Sequence, residues 1–228
     1  MPPKTSRTAA PADSASRPAA STAAAAEPLE DKPQAILDAA ASVFMELGFA
    51  AASLDDISQA YGATKGIIYY HYRNKSALFF AVQRRAMELT REAIGPHVAG
   101  PGSPSQRLYR MAHAHTLLMM RHLPYLRVAA QGLELHLSGR TSAKEREELE
   151  AITTLRDGNE QLYVQVIEEG IVAGEFRELD PRLSVKPLLG ALNWTSRWYR
   201  PRRRETEKDR ERIAHEVAEF ARHALLKA

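Results

Sequence analysis

Residues 53–75 read SLDDISQAYGATKGIIYYHYRNK and are the most informative segment of the chain. Its apolar residues follow the period of a helix in two short segments, about 54–61 and 64–72. Gly62 separates them and can adopt the positive φ of a tight turn. Two short helices joined by a glycine-containing turn are typical of a helix-turn-helix, in which the second helix enters the major groove of DNA.

Local signals support the two helices. Ser53 and Asp56 have the spacing of a capping box, which favours a helix start at Leu54. Thr64 is a suitable N-cap for the second helix. The apolar residues expected to face inward and set the crossing angle of the two helices are Ile57, Ala60 and Ile68.

The outward face of the second helix suits a nucleic acid. Lysine reaches phosphates and base edges, Gly66 lets the backbone lie close to the bases, and tyrosine hydroxyls can donate to phosphates. Residues 64–75 contain three basic residues and no acidic one, so the local potential is positive. The candidate DNA contacts are Thr64, Lys65, Gly66, Tyr69, Tyr70, His71 and Lys75. The alternative for Tyr69 or Tyr70 is a place in the core.

Helical periodicity continues on both sides of this motif. Upstream, one stripe comprises Ile36, Ala40, Val43, Phe44 and Leu47, and Gly48 is the expected stop. Downstream, Asn74 caps a helix expected to run from 75 to 94 and to end at Gly95-Pro96. Further helices are expected at about 105–122, 123–137, 145–171, 181–199 and 207–226, with breaks that include Ser138-Gly139. The predicted fold class is therefore all-α.

Composition excludes several classes of protein. The 228 residues contain no cysteine, which excludes disulfides and cysteine-ligated metal, and the net charge of +3 permits a polyanionic partner without requiring one. No unbroken apolar run approaches the roughly 18 residues of a membrane span, so no membrane partner is expected. Residues 1–31, rich in Ala, Pro, Ser and Thr, are predicted to be a disordered tail. An organellar transit peptide is the alternative for that tail.

Residues 36–79, ILDAAASVFMELGFAAASLDDISQAYGATKGIIYYHYRNKSALF, resemble the N-terminal domain of the TetR family along their whole length. The resemblance rests on A-x-x-x-F-x-x-x-G-F, D-D-I, T-K-G-x-x-Y-Y-H-Y and N-K-x-x-L-F in the same order and spacing. One departure is Tyr72, where the family usually has Phe. The resemblance implies a DNA-binding domain at 32–80, a ligand-binding and dimerisation domain at 81–228, and a cytoplasmic repressor. It also implies a homodimer on palindromic operator DNA, and it adds Ser53, otherwise a helix cap, to the DNA contacts.

The helix expected at 181–199 is apolar on two faces, which indicates burial on both sides. One face carries Val185, Leu188, Leu189, Leu192 and Tyr199, and the other carries Pro187, Ala191, Trp194 and Trp198. With an apolar stripe at Ile213, Val217, Phe220 and Ala224, the second face suits a dimer interface. A long helix buried within a monomer is the alternative.

The string ALNWTSRWYRPRRRE, residues 191–205, resembles TetR members that respond to acyl-coenzyme A. The resemblance implies a small-molecule effector, an acyl-coenzyme A or another hydrophobic compound, held by Asn193, Trp194, Arg197 and Trp198. Tryptophan rings can line an acyl slot, and arginines can meet phosphates. The alternative is an interface tryptophan pair beside a solvated basic loop.

Other functions are weighed against a repressor. A helical enzyme or binding protein acting on a thioester-like molecule is the main alternative, but G-x-S-x-G, H-E-x-x-H and phosphate-loop motifs are missing, so no enzyme and no cofactor are expected. A nonspecific DNA-packaging protein would need a denser basic surface. His113, His115 and His122 could suggest a metal, but His113 and His115, two residues apart on a helix, face different ways, and no carboxylate at ligand spacing supports them. No metal site is expected.

Overall fold

The computed structural model describes residues 32–137 and 142–227. Within these ranges the chain forms nine α-helices and no strand, which confirms the all-α prediction. The predictions for residues 1–31 and for the break at Ser138-Gly139 lie outside the described residues. The helices are α1 (Lys32–Ala51), α2 (Leu54–Tyr61), α3 (Lys65–His71), α4 (Lys75–Val98), α5 (Pro104–Arg121), α6 (Leu123–Leu137), α7 (Ala143–Val172), α8 (Pro181–Trp198) and α9 (Glu207–His223).

The first helix follows its predicted stripe except at one end. Ile36, Ala40 and Phe44 are fully buried, whereas Leu47 is 49% exposed, so its predicted place in the core is wrong. Gly48 has φ 77° and ψ 161°, which interrupts the helical conformation at the predicted stop. The chain resumes a helical turn after this kink and ends α1 at Ala51.

The fourth helix is longer than predicted, because Gly95 and Pro96 do not end it. Pro96 is exposed, while Ile94 and Val98 are buried one turn apart on the same face. A proline removes one helical hydrogen bond, but burial of Val98 favours another turn. The side chain of Arg107 donates to the Val98 carbonyl at this end of the helix.

Three clusters of buried side chains form the core of the described residues; the smallest lies around Tyr199, and α4 contributes to the two larger ones. The first joins α1–α4 to the end of α5, to α6 and to the first half of α7, around Phe44 and Phe79, whose rings meet edge to face at 5.2 Å. The second joins the end of α4 to α5, α7, α8 and α9 around Tyr163. The predicted boundary at residues 80/81 falls inside α4, so one rigid helix connects the two halves.

The last helix packs within the chain through small residues. Ala214, Ala218 and Ala221 are buried against α5, because small side chains allow the two helices to approach closely. In the stripe that the sequence assigns to a dimer interface, Ile213 and Val217 are half-buried at the edge of the core, and Phe220 is 66% exposed. Phe220 therefore lies outside the core of the single chain.

One described helix, Pro33–Ala51, has the length and mean hydropathy, 1.3, of a membrane span, which the sequence analysis did not anticipate. The same helix supplies Ile36, Ala40 and Phe44 to the core. A core helix, or a signal sequence near an N-terminus, can have the same length and hydropathy, so this single helix is weak evidence for a membrane span.

Candidate DNA-binding surface and effector cavity

Caps fix the geometry of the two short helices. The Asp56 backbone N–H donates to Ser53 Oγ at 3.1 Å, and the Ser53 backbone N–H donates to Asp56 Oδ2 at 2.8 Å. The Ser53 hydroxyl also donates to Asp56 Oδ2, at 2.6 Å, and this bond, together with the one from the Ser53 N–H, holds the pKa of Asp56 below its usual range. Gly62 has φ 76°, and its N–H donates to the carbonyl oxygen of Gln59 at 3.1 Å. The capping box of Ser53 and Asp56 and the positive φ of Gly62 are both predicted from the sequence.

The inner faces of α2 and α3 agree with the prediction at two of three positions. Ile57 and Ile68 are fully buried. Ala60 is exposed, and Ser58 is buried instead. Ser58 Oγ donates to the Asp55 carbonyl oxygen at 2.9 Å, so its hydroxyl is satisfied within α2 and can be buried.

The outer face of α3 is open to solvent. Tyr70 is 85% exposed and Tyr69 is 49% exposed, so neither ring lies in the core. Gly66 is exposed, and a Cβ added there would meet only Thr64 Oγ1, at 3.9 Å. His71 is half-buried, with its ring edge-on to Tyr70 at 5.1 Å. The helix thus presents glycine and aromatic side chains on one accessible surface.

Lys65 lies at the start of α3 and pairs with an acid on α2. Its Nζ is 2.8 Å from Asp55 Oδ2, and this hydrogen bond raises the pKa of Lys65. The ion pair is exposed, so it is readily exchanged for another anion. Thr64 occupies the N-cap position, but its side chain makes no capping hydrogen bond, contrary to the prediction. The start of α3 therefore retains backbone donors without a side-chain cap.

Lys75 has a structural role that the sequence analysis missed. Its Nζ donates to the carbonyl oxygens of Phe49 and Ala52 at 2.7 Å and of Ala50 at 3.2 Å. It also lies 4.7 Å from the centre of the Phe49 ring. These contacts cap the C-terminal end of α1 beyond the Gly48 kink. The predicted contact of Lys75 with DNA stays a prediction.

Replacing Lys75 with Met is expected to destabilise the chain by about 1–3 kcal/mol, because three carbonyl oxygens would lose a charged donor. Urea unfolding measures this change. Lys65→Met is the matched control, and a change within about 0.5 kcal/mol is expected because Lys65 is exposed. Equal stability of the two variants would show that the Lys75 cap contributes nothing.

A cavity of about 350 Å³ lies between α4, α5, α6, α7 and α8. Of the four predicted ligand residues, Asn193, Trp194 and Arg197 line it. Trp198 does not; it is 45% exposed, with its ring edge-on to Tyr199. The other lining residues are Met87, Thr90, Ile94, His115, Met119, Leu126, Ala129, Ala130, Arg156, Asn159, Tyr163, Leu189, Gly190 and Ser196.

Three polar residues in the cavity wall went unrecognised as ligand contacts in the sequence. His115 Nδ1 lies 3.0 Å from the Tyr163 hydroxyl, and both residues are buried. Burial lowers the pKa of His115 to about 4, so its ring is neutral at pH 7, although nearby Asn193 favours the protonated form. Asn159, one turn before Tyr163 on α7, donates from Nδ2 to the Met87 carbonyl oxygen at 2.9 Å. The cavity is therefore apolar with a polar patch formed by α5, α7 and α8.

Large apolar side chains lie exposed on the outer surface of α8 and α9. Leu183 is 69% exposed, Trp194 is 62% exposed and Phe220 is 66% exposed. Trp194 and Phe220 line a shallow groove between the two helices. We call this surface, with Trp198, the α8–α9 face. Exposed apolar surface of this kind is typical of a protein–protein interface.

Two of the three histidines singled out in the sequence share one surface groove and the third does not. His113 and His122 line a groove between α4 and α5, where His113 pairs with Glu211 at 3.1 Å, whereas His115 lies in the cavity wall. Among residues 32–137 and 142–227, His, Asp and Glu side chains form no group of three with the geometry of a metal site.

Two family models match this chain. The model described as bacterial regulatory proteins, tetR family, matches residues 36–82. The model described as the tetracyclin repressor-like C-terminal domain matches residues 101–225, which is more than half of the 228 residues.

Curated relatives of this chain are transcriptional regulators. The HTH-type transcriptional repressor Rv1474c of Mycobacterium tuberculosis is 43% identical over 53 residues, which are 23% of this chain and only 28% of that repressor. The HTH-type transcriptional repressor KstR2 of Mycobacterium tuberculosis is 24% identical over 176 residues, covering 73% of this chain and 80% of KstR2.

Solved structures share the fold. The structure of KstR2 has a TM-score of 0.72 at 20% identity and covers 89% of this chain and 98% of that one. A crystal structure of AibR in complex with isovaleryl coenzyme A and operator DNA has a TM-score of 0.68 at 23% identity, covering 86% of this chain and 98% of AibR.

Proposed function

The chain belongs to the TetR family of transcriptional regulators, and we propose that it is a homodimeric repressor that binds a palindromic operator and releases it when an acyl-coenzyme A or another hydrophobic molecule binds. The observation that carries this proposal is the accessible face of α3 on a capped helix-turn-helix. The relatives are regulators, which supports a regulator without enzymatic activity or a cofactor, working in the cytoplasm.

The DNA contacts are proposed from the surface of α3. Lys65, Tyr69 and Tyr70 are exposed on one face, where they would meet phosphates and base edges in the major groove. Thr64 and Gly66 would let the start of α3 lie close to the bases. His71 and Lys75, further along the chain, would contact the phosphate backbone of the DNA. Ser53, already held in its capping box, would add a phosphate contact at the start of α2.

Lys65→Ala is expected to weaken binding to DNA from upstream of the chain's own gene and to leave the fold intact. If Lys65 exchanges Asp55 for a phosphate, its loss lowers the slope of log affinity against log salt by about one unit. Electrophoretic shifts at several salt concentrations measure this slope. Asp55→Asn is the matched control, because it removes the same ion pair and keeps the cation. An unchanged slope in Lys65→Ala would remove Lys65 from the DNA contacts.

The homodimer is proposed from the α8–α9 face. A two-fold axis through this surface would bury the exposed rings of Trp194, Trp198 and Phe220 against those of a second copy. We call the helix-turn-helix of α2 and α3 the reading head. Two reading heads related by that axis would reach successive major grooves of DNA about 34–36 Å apart, which requires a palindromic operator.

The effector is proposed from the cavity and from the resemblance of residues 191–205 to acyl-coenzyme A-responsive members. The cavity walls are mostly apolar and suit an acyl group, and Asn193, Trp194 and Arg197 lie where α8 meets solvent. A cavity of about 350 Å³ is at the lower end of the range for ligand sites, so the coenzyme's phosphates would remain outside it. AibR, which shares the fold, was crystallised with isovaleryl coenzyme A and operator DNA.

Helices α4 and α7 connect the cavity to the helix-turn-helix by direct contacts, so a ligand bound in the cavity could change the orientation of α2 and α3. Helix α4 carries Met87 and Thr90 in the cavity wall and, at its other end, the Lys75 cap on α1. Helix α7 also lines the cavity, and near its start Glu145 accepts from Ser76 of α4 at 3.0 Å. Displacement of either helix by a ligand would therefore reorient α2 and α3.

Arg197→Ala is expected to abolish release of the operator by an acyl-coenzyme A, while operator affinity without ligand stays unchanged. A hundredfold release requires that the ligand prefer the released state by about 2.7 kcal/mol, and contacts with Arg197 would supply part of that preference. Operator binding is measured at rising concentrations of a thioester panel, with Trp fluorescence as the readout of binding. Arg177→Ala, a change at an exposed arginine outside the cavity, is the control. If no thioester changes fluorescence or releases DNA, the acyl-coenzyme A assignment fails and the repressor assignment stands.

A further inference from the structure

Two buried polar atoms in the cavity wall have no hydrogen-bond partner among the residues that the structure describes. They are Asn159 Oδ1 and His115 Nε2. Asn159 is 6% exposed and His115 is 3% exposed. Both side chains line the cavity, and in each the other polar atom is bonded to a neighbouring helix.

The chemical character of these atoms follows from those bonds. Asn159 Nδ2 donates to the Met87 carbonyl oxygen at 2.9 Å, which leaves Oδ1 as an acceptor. Because the Tyr163 hydroxyl donates to the Met111 carbonyl oxygen at 3.3 Å, we assign His115 the tautomer in which Nδ1–H donates to the Tyr163 oxygen. In that tautomer His115 Nε2 carries a lone pair and is a second acceptor. Asn193 lies nearby on α8 and favours the protonated form of His115, but Nε2 itself makes no hydrogen bond with any described residue.

From this geometry we infer that the cavity selects effectors whose buried part carries a hydrogen-bond donor, placed to meet Asn159 Oδ1 and His115 Nε2. The inference rests on the proposed function, because it concerns the ligand of the same cavity. The donor is either a hydroxyl on the acyl group or an amide N–H of the thioester arm.

The physical reason is the cost of an unsatisfied polar group. A purely hydrocarbon ligand would separate both acceptors from water without offering either a hydrogen bond. A ligand that carries a donor makes the same apolar contacts and also donates a hydrogen bond to at least one of the two acceptors. A site built to hydrogen-bond a ligand group discriminates against the analogue without it far better than an apolar pocket discriminates by size.

Two pairs of probes distinguish the two sources of the donor. Hexanoyl-coenzyme A against 3-hydroxyhexanoyl-coenzyme A tests the hydroxyl. Hexanoyl-N-acetylcysteamine against S-ethyl hexanethioate tests the amide N–H. Calorimetry on the full chain gives the ratio of dissociation constants within each pair, and we expect one pair to differ at least tenfold in favour of the donor.

Asn159→Leu and His115→Phe remove one acceptor each and keep a branched or aromatic side chain of the same general shape, although both are larger. In at least one of them the preference is expected to fall to less than threefold, whereas Val172→Leu, an apolar change at an exposed position of α7 outside the cavity, preserves it. A ratio within one variant does not depend on how stable that variant is. Equal affinity within both pairs in the unchanged chain, or a preference that survives both variants, overturns the inference and leaves the repressor intact. If none of the four probes binds, the thioester effector itself is wrong and the inference falls with it.

Discussion

Replacing Gly66 with Leu is expected to lower operator affinity at least a hundredfold while leaving the fold intact or slightly more stable. Gly66 is exposed in the first turn of α3, and a Cβ there meets only Thr64 Oγ1, at 3.9 Å. Glycine inside a helix costs up to about 1 kcal/mol relative to a good helix former, so leucine stabilises the free chain by a few tenths to about 1 kcal/mol. The same side chain would hold the backbone away from the bases when α3 enters the groove.

In Gly66→Leu, stability is expected to stay the same or rise while operator affinity falls, so a general loss of folding cannot produce the expected result. Thermal unfolding measures stability, and fluorescence anisotropy with operator DNA measures affinity, of which a hundredfold loss is about 2.7 kcal/mol. Gly158→Ala is the control, because it also replaces a helical glycine with a better helix former, but on α7, outside the helix-turn-helix. Operator affinity equal to that of the unchanged chain would show that the first turn of α3 does not approach the bases.

The reading head could be predicted from the sequence because its signals are local. Ser53, Asp56 and Asn74 specify helix starts within three residues of themselves, and Gly62 specifies its own turn. The predictions failed where packing over a distance decides. Helix α4 passes Gly95 and Pro96 because Val98 is buried, and that burial depends on helices further along the chain.

The cavity illustrates the same limit. Its wall draws on five helices, so spacing along any one of them does not bring Asn159 and His115 together. Asn193, Trp194 and Arg197 could be predicted because they lie within about one turn of α8, in a motif that the family resemblance singles out. His115 was considered only as a metal ligand, because its neighbours Tyr163 and Asn193 are distant in sequence.

On α9, periodicity predicts one face and misses another for a physical reason. It gives most weight to large apolar residues, so it indicates the stripe through Val217 and Phe220 as a surface for a second copy. Close packing on α5 uses Ala214, Ala218 and Ala221, whose small side chains contribute little to that pattern. Phe220 is left exposed in the single chain beside the half-buried Val217, which is an arrangement that a second copy would bury.

Phe220→Arg is therefore expected to convert the dimer into a monomer and to weaken operator binding more than a hundredfold. The side chain is 66% exposed, so its replacement removes little packing within one chain, and circular dichroism should remain unchanged. At an interface with two-fold symmetry, however, both copies would carry the arginine, and two unpaired charges would be buried close together. A monomer engages each half-site separately and loses the effective concentration that joining two reading heads provides.

Sedimentation equilibrium measures the monomer–dimer constant, and electrophoretic shifts with full and half operators measure the loss of joint binding. Val172→Arg is the matched control, because Val172 is an apolar residue 91% exposed on α7, outside the α8–α9 face. This control is expected to remain dimeric and to bind the full operator normally. If Phe220→Arg dimerises as strongly as the control, another surface forms the dimer. In that case the exposure of Trp194 at the cavity edge would persist in the assembled repressor, and a ligand could enter without disturbing the partner.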